Sequence, residues 1–410
     1  MAKLQQSKIN VKELESVLSH IINTNKSLQT QGKIPLAINV VGAAGLGKTS
    51  TIKQIGISLG FNPDNIVKLN LSTLEEIGDL IGVPVVEYKV TGNIREKEGD
   101  EPKKVSKWIA EGALPTYEKL GWKITSESRM NYSVPAWIEG KNGPGVLILD
   151  DYTRASQRFT QAVMELILEQ EYLSWKLPKG WTIILSSNPD DGIYNVTDQD
   201  PAQKSRYLNV ELGWDAEVWA EWAEANGIDS RCINFTLMHK EIVKDEVPEV
   251  NPRSITMFYE SISSIKDFNS QLELIQLLGE GSLGAETTTM FTNFIHNKLD
   301  KLITTEEILD VQKPFADIKK KMDDLINAGA EYRADIAFVL TTRLINHVQF
   351  NMNNEDITND IVKRFEELIS SQVLGTDLKF VMGRKFTNMK DKPNMNKLLL
   401  SDAVVDTLLE

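Results

Sequence analysis

The stretch Gly42-Ala43-Ala44-Gly45-Leu46-Gly47-Lys48-Thr49 constrains this chain more than any other. It fits G-x-x-x-x-G-K-[ST], the pattern of a phosphate-binding loop. Its flanks agree with that reading. Ile38-Asn39-Val40-Val41 reads as a short apolar strand, and Thr49 to Ile55 opens a helix. Strand, glycine loop and helix are what the chemistry needs. Gly42, Gly45 and Gly47 let successive N–H groups point into one concavity, and the helix N-terminus adds partial positive charge beneath the phosphates. Lys48 is placed to reach the β- and γ-phosphates of ATP, and the Thr49 hydroxyl to hold Mg²⁺. With Ala43, Ala44, Leu46 and Ser50, these residues are the expected nucleotide cradle. A chance match in a chain of average composition arises on the order of 1% of the time.

The length of 410 residues allows two or three domains and an ample core. Against 45 basic residues stand 58 acidic ones, a net charge of −13. That balance argues against a broad nucleic-acid-binding surface, though it leaves room for a local basic channel. Cys232 is the one cysteine, so an intrachain disulfide is impossible. Apolar runs such as Gly145 to Leu149 are too short to span a bilayer. Met1-Ala2-Lys3-Leu4-Gln5-Gln6 lacks a signal-peptide core. A cytoplasmic protein with no membrane partner is the expectation.

Along the chain, residues 1–33 hold a helix, with apolar positions at helical spacing from Val11 to Asn23. Residues 34–212 read as an α/β domain. Ile66 to Leu71 is its second strand. Gly145-Val146-Leu147-Ile148-Leu149-Asp150-Asp151 is an apolar strand of the kind buried on both faces of a parallel sheet, ending in two carboxylates. A helix follows from Ser156 to Glu169. Tyr172 to Gly180 reads as a hairpin turning at Pro178-Lys179-Gly180. Trp181 to Asn188 is another buried strand, and Val210 to Leu212 the last.

Residues 85–135 form an insertion. It carries a charged loop from Glu96 to Lys104 and the aromatics Trp108, Tyr117, Trp122 and Tyr132, with Trp137 just beyond; these read as local core before any ligand contact. After Gly213 the pattern is helical. Residues 213–269 are expected to form a helical lid, with Asp215 as N-cap and Gly227 as a stop. Residues 270–410 form a helical extension that includes Phe315 to Ala328, Ala334 to Val348 and Ile357 to Leu368.

Asp150 sits where a strand-end carboxylate supports Mg²⁺ through its water shell. Asp151 is placed to polarise the attacking water. Paired carboxylates at a strand end also serve as helix caps, but their position behind the loop favours catalysis. Asn188 ends the next strand, where an amide can orient water and sense the γ-phosphate. Arg206 lies in a polar loop before a strand, and Arg253 begins a helix. Cations of this kind stabilise charge developing on phosphate oxygens.

Gly42 to Thr49, Leu147 to Asp151, Ser187-Asn188-Pro189, Ser205-Arg206-Tyr207 and Pro252-Arg253-Ser254 resemble the Walker A, Walker B, sensor 1, arginine finger and sensor 2 of an AAA+ ATPase. Asp150-Asp151-Tyr152-Thr153-Arg154-Ala155, Gly78 to Gly82 and Trp214 to Ala223 resemble the MoxR-like, dynein-related branch, encoded beside von Willebrand A-domain proteins. The resemblance covers about Ile34 to Ile265. It implies a P-loop parallel-sheet domain, an all-helical lid and a ring, a hexamer in this family, acting on a protein substrate or a von Willebrand A-domain protein. It also implies that Arg206 reaches the neighbouring subunit's nucleotide, with Arg154 and Arg158 as fallbacks, and that Arg253 couples the lid to the γ-phosphate. The insertion and the hairpin match elements that face the pore or substrate in such rings.

One departure stands out. Asp151 occupies the usual Glu position, and its carboxylate sits about 1.5 Å further back on the same backbone. A shift of that order costs about a hundredfold in rate. A slow, nucleotide-gated scaffold therefore stands beside the remodelling ATPase, as does a DNA-handling AAA+ protein.

Overall fold

The computed structural model describes residues 8–94, 103–197, 199–243, 250–296, 302–327, 332–352, 355–388, 396–399 and 401. The chain divides into two compact units. The first comprises Met1–Ala43 and Gly47–Gly213, the second Ala44–Leu46 and Trp214–Glu410.

The first unit runs α1 (Val11–Thr30), β1 (Ala37–Val41), α2 (Lys48–Ser58), β2 (Ile66–Asn70), α3 (Ile77–Ile81), β3 (Pro84–Ile94), β4 (Lys103–Ala110), α4 (Leu114–Lys119), β5 (Lys123–Tyr132), β6 (Gly145–Asp150), α5 (Gln157–Glu169), β7 (Glu171–Tyr172), β8 (Trp175–Lys176), β9 (Trp181–Ser187), α6 (Pro201–Lys204) and β10 (Tyr207–Glu211). Five strands form one parallel sheet in the order β10-β1-β9-β6-β2. This is the expected α/β architecture, a parallel sheet behind a P-loop with a helical region after it.

The central strands are buried because their side chains are apolar on both faces. Val146, Leu147, Ile148 and Leu149 are all 0% exposed. Burying each contributes about 1.5–3 kcal/mol. Helix α5 covers one face with Phe159, Val163, Leu166 and Ile167. Helix α1 is stitched on by polar contacts. Asn25 donates to Leu36 O at 2.9 Å and to Thr182 Oγ1 at 3.1 Å, and Gln29 accepts from Gly180 N at 2.6 Å.

The insertion is a three-stranded antiparallel sheet, β4-β3-β5. Tyr117 meets Trp122 edge to face with centroids 5.5 Å apart, and the Arg129 guanidinium lies 4.5 Å from the Trp108 ring centre. Gly92 leaves room for Trp122, whose ring would be 2.3 Å from any Cβ placed there. Trp108, Tyr117 and Trp122 thus pack locally, as the sequence suggested. Trp137 instead joins the main core, edge to face with Trp175 at 5.4 Å. Most of the charged stretch from Glu96 to Lys104 lies outside the described residues.

The hairpin differs from expectation. Strands β7 and β8 pair Glu171 with Lys176 and Tyr172 with Trp175. The turn is therefore Leu173-Ser174, not Pro178-Lys179-Gly180. The indole of Trp175 is held by Ile81 O at 2.9 Å, which fixes β8 early and leaves two residues to turn. Leu173 takes a φ of +48° to make that turn, and Pro178 to Gly180 lead into β9.

The second unit is helical: α7 (Ala216–Ala225), α8 (Ser230–Met238), α9 (Pro252–Ser261), α10 (Leu272–His296), α11 (Thr305–Ile308), α12 (Phe315–Ile326), α13 (Ala334–Asn351), α14 (Asn359–Ser370), α15 (Thr376–Asn388) and α16 (Asn396–Leu399). Asp215 caps α7 through Glu217 N and Val218 N, and Gly227 follows its end at a φ of +72°. Helix α10 is interrupted at Gly284, whose backbone is not helical. One apolar core runs from Trp219 to Leu398, so residues on both sides of 269 share it. A buried ion pair of 2.8 Å joins Arg343 on α13 to Glu224 on α7. Helix α12 ends at Ile326; Ala328 lies outside the described residues.

Candidate functional site

The parallel sheet brings the end of β1, the end of β6 and the end of β9 to one edge. The glycine loop leaves β1 there. Gly42 N donates to Ser187 O at 3.1 Å, extending the β1–β9 pairing by one step. Gly45 and Gly47 have φ of +83° and +82°. Both angles strain any residue with a Cβ. Gly47 is the N-cap of α2, so the chain turns from loop to helix at Lys48.

Lys48 is buried at the base of the loop. Its ammonium donates to Gly42 O at 2.6 Å, to Ala43 O at 2.9 Å and to Asn188 Oδ1 at 3.4 Å. Thr49 and Ser50 continue the first turn of α2. Of the expected cradle, Gly42, Ala43 and Gly47 to Ser50 belong to the first unit, and Ala44, Gly45 and Leu46 to the second.

Thr49 meets Asp150. Its Oγ1 is 3.1 Å from each carboxylate oxygen. A second partner comes from β2, where Lys68 Nζ lies 2.8 Å from Asp150 Oδ2. Burial alone would raise the Asp150 carboxyl. The hydrogen bond from Lys68, joined by Ser186, by the Lys68 charge and by Thr49, outweighs burial and holds the carboxyl below its ordinary value.

Asp151 sits next along in the left-handed region, at φ 53° and ψ 35°. Its carboxylate accepts from Ser72 Oγ at 3.4 Å. Asn188 is 7% exposed, and its backbone N–H donates to Thr153 Oγ1 at 3.4 Å. Tyr152 is fully buried and meets Tyr207 edge to face at 6.1 Å; burial, the main cause, raises both phenols, Tyr207 to about 12.

Beneath the loop runs a polar rung. Ser187 Oγ donates to Asn39 Oδ1 at 2.7 Å, and Asn39 Nδ2 donates to Asn209 Oδ1 at 2.9 Å.

Lys48, Thr49, Asp150 and Asn188 thus come together. Arg206 does not join them. Tyr207 stands opposite Ala37 in the β10–β1 pairing, so Arg206 lies beyond the start of β1 while the loop leaves its end. Strand β1 separates them by about 16 Å at ~3.3 Å per residue. Arg206 is exposed. Arg154 and Arg158 follow β6 on the loop's edge of the sheet, and both are exposed. Arg253 belongs to the second unit, where it is the second residue of α9, and Asn251 caps that helix.

Sequence reasoning missed Lys68 and Ser72. The signal for Lys68 was a single cation inside Ile66-Val67-Lys68-Leu69-Asn70, which looks like any outward-facing strand position.

The Thr49 hydroxyl and the Asp150 carboxylate converge as hard oxygen donors. That set suits Mg²⁺, which keeps several waters and takes its other ligands from phosphates. Among the described residues no group of three or more His, Cys, Asp or Glu side chains could hold a metal by itself. Among them, too, no helix is long and apolar enough to cross a membrane.

No protein-family model and no curated protein matches this chain. Solved structures similar to it include the RuvB Holliday junction branch migration motor of Thermotoga maritima, at 14% identity and a TM-score of 0.32 over 78% of this chain and 76% of that one. The NtrX protein of Brucella abortus in complex with ADP is similar at 13% identity and a TM-score of 0.31, over 71% and 67%. A DNA polymerase III gamma-subunit-related protein of Thermotoga maritima is similar at 13% identity and a TM-score of 0.26, over 96% and 98%.

Proposed function

We propose that this chain is an AAA+ ATPase resembling the MoxR-like branch, which binds ATP with Mg²⁺, assembles as a ring and remodels a protein partner. One observation carries the reading. Lys48, Thr49, Asp150 and Asn188 converge from separate stretches of chain on the C-terminal edge of one parallel sheet.

Arriving phosphates exchange the Lys48 contacts with Gly42 O and Ala43 O for phosphate oxygens. Thr49 and Asp150 are the residues that would hold Mg²⁺, which neutralises phosphate charge when bound. Asn188 orients the attacking water. Asp151 withdraws its proton as general base.

The domain plan follows the same reading: residues 34–212 bind nucleotide, 213–269 form the lid with Arg253 as its arginine, and 270–410 extend it. The ring is a hexamer by resemblance, and the partner a protein substrate or a von Willebrand A-domain protein in the cytoplasm.

The β10–β1 pairing supports a trans role for Arg206, because its backbone starts at the sheet edge opposite its own loop. Arg206→Ala should bind ATP as a subunit yet hydrolyse it about 10³-fold more slowly, the loss expected for an arginine finger. Lys48→Ala should lose tight ATP binding. Mixing the two inactive variants should restore part of the activity, since some interfaces then pair an intact Lys48 with an intact Arg206. Stable mixed rings without recovery would overturn the trans role. Retained ATP affinity in Lys48→Ala would overturn the nucleotide site.

A second reading, a nucleotide-gated scaffold with very slow turnover, draws on Asp151, whose carboxylate contacts Ser72 at 3.4 Å. If the short side chain limits turnover, Asp151→Glu raises it.

A further inference from the structure

Lys68 is the central residue of β2, an edge strand of the parallel sheet. It stands opposite Ile148, and Asn70 stands opposite Asp150. Side chains two apart share a face of the sheet. Lys68 therefore runs along the face that carries the Asp150 carboxylate and reaches it at 2.8 Å. Its side chain is 36% exposed, that of Asp150 only 14%. A lysine on an edge strand gains rotamer freedom by standing out in water. Here it lies down on the one carboxylate that also receives the Thr49 hydroxyl.

We infer that Lys68 is the resident counter-ion of Asp150 and sets how strongly nucleotide binding depends on Mg²⁺. The inference rests on the nucleotide-site reading above. The charges give it a sign. Phosphates entering the loop are negative, as Asp150 is. With Lys68 in place the pair is neutral, so nucleotide enters without a divalent cation to mask the carboxylate. A divalent cation supported by that carboxylate is positive like the ammonium and competes with it for the carboxylate lone pairs. Lys68 thus favours metal-free nucleotide and weakens the hold on the metal. Removing the charge moves the two affinities in opposite directions. A lysine that merely braced the strand would, on removal, weaken both.

The test uses the full chain, fluorescent mant-ADP and MgCl₂. In EDTA, Lys68→Met should bind mant-ADP at least about fivefold more weakly than wild type, as expected for an unmasked charge near phosphate. On the mant-ADP complex, it should half-saturate at a Mg²⁺ concentration at least about fivefold lower, for the converse reason. Lys68→Arg keeps the charge and should match wild type in both. Lys68→Gln serves as a second neutral variant, with circular dichroism reporting the fold of each. Both affinities moving the same way, or neither moving, would overturn the inference while the nucleotide site stands. A wild-type chain that binds no mant-ADP in either buffer would overturn both.

Discussion

The two larger sheets of the first unit satisfy the same backbone groups but treat their side chains differently. In the parallel sheet, β1, β6 and β9 are buried along nearly their whole length. In the insertion, β4 and β5 are mostly open to solvent, and Val90 is the one fully buried apolar residue of β3. Cross-strand ion pairs line the insertion sheet, Lys89 with Glu127 at 2.9 Å and Arg129 with Glu87 at 2.7 Å. Exposed pairs of this kind contribute little and are weakened by salt. The difference teaches where geometry is kept. Side chains that must meet within a few tenths of an ångström are hung on strands that cannot move without opening the core.

The sharpest way to break that contrast is to truncate one apolar side chain in each sheet. Leu147→Ala, at a site 0% exposed, should cost about 2–5 kcal/mol in urea unfolding. Met130→Ala, 70% exposed, should cost less than about 0.5 kcal/mol. Similar costs would show that the insertion is as structural as the core.

A smaller effect tests the charge the buried sheet does carry. The Asp150 carboxyl is held below its ordinary value of 3.8, so its contribution to stability is present above that pH and is lost as pH falls through the lowered value. The stability gap between wild type and Asp150→Asn should be flat near neutrality and shrink only below pH 3.8. A gap that shrinks as pH rises would reverse the assigned sign.

The smallest effect concerns excision. Val85 and Asn131 are paired across β3 and β5, so a two-residue Asn-Gly turn can join them in place of residues 86–130. The shortened chain should bind mant-ADP within about threefold of wild type, as for distant and independent sites. A large loss would tie the insertion to the nucleotide site.

The contrast also explains what was legible in the sequence. Val146 to Leu149 and Trp181 to Leu185 announce themselves because a strand buried on both faces has no polar alternation. The loop is legible because phosphate demands glycines and a lysine at fixed steps. The insertion blurred because its strands mix Lys, Glu and Thr with scattered aromatics. The hairpin turn was misplaced because Pro178-Lys179-Gly180 is a strong local signal, while the turn at Leu173-Ser174 is set by where the Trp175 indole anchors. Lys68 was invisible because its meaning depends on Asp150, which is distant in sequence and adjacent in the sheet.

The polar rung under the loop has a consequence for how the sheet assembles. Apolar strands such as β1 slide past one another at little cost, since one aliphatic neighbour is much like the next. Sliding β10 by two residues keeps every side chain on its proper face, so burial alone does not reject it. It would, however, move Asn39 from Asn209 to Tyr207 or Glu211. Asn39 is 2% exposed, and losing its bond to Asn209 costs about 0.5–1.5 kcal/mol. The carboxamide pair is thus an alignment key. It makes the misthreaded sheet rarer by roughly twofold to tenfold, and it does so three residues before Gly42, ahead of any ligand.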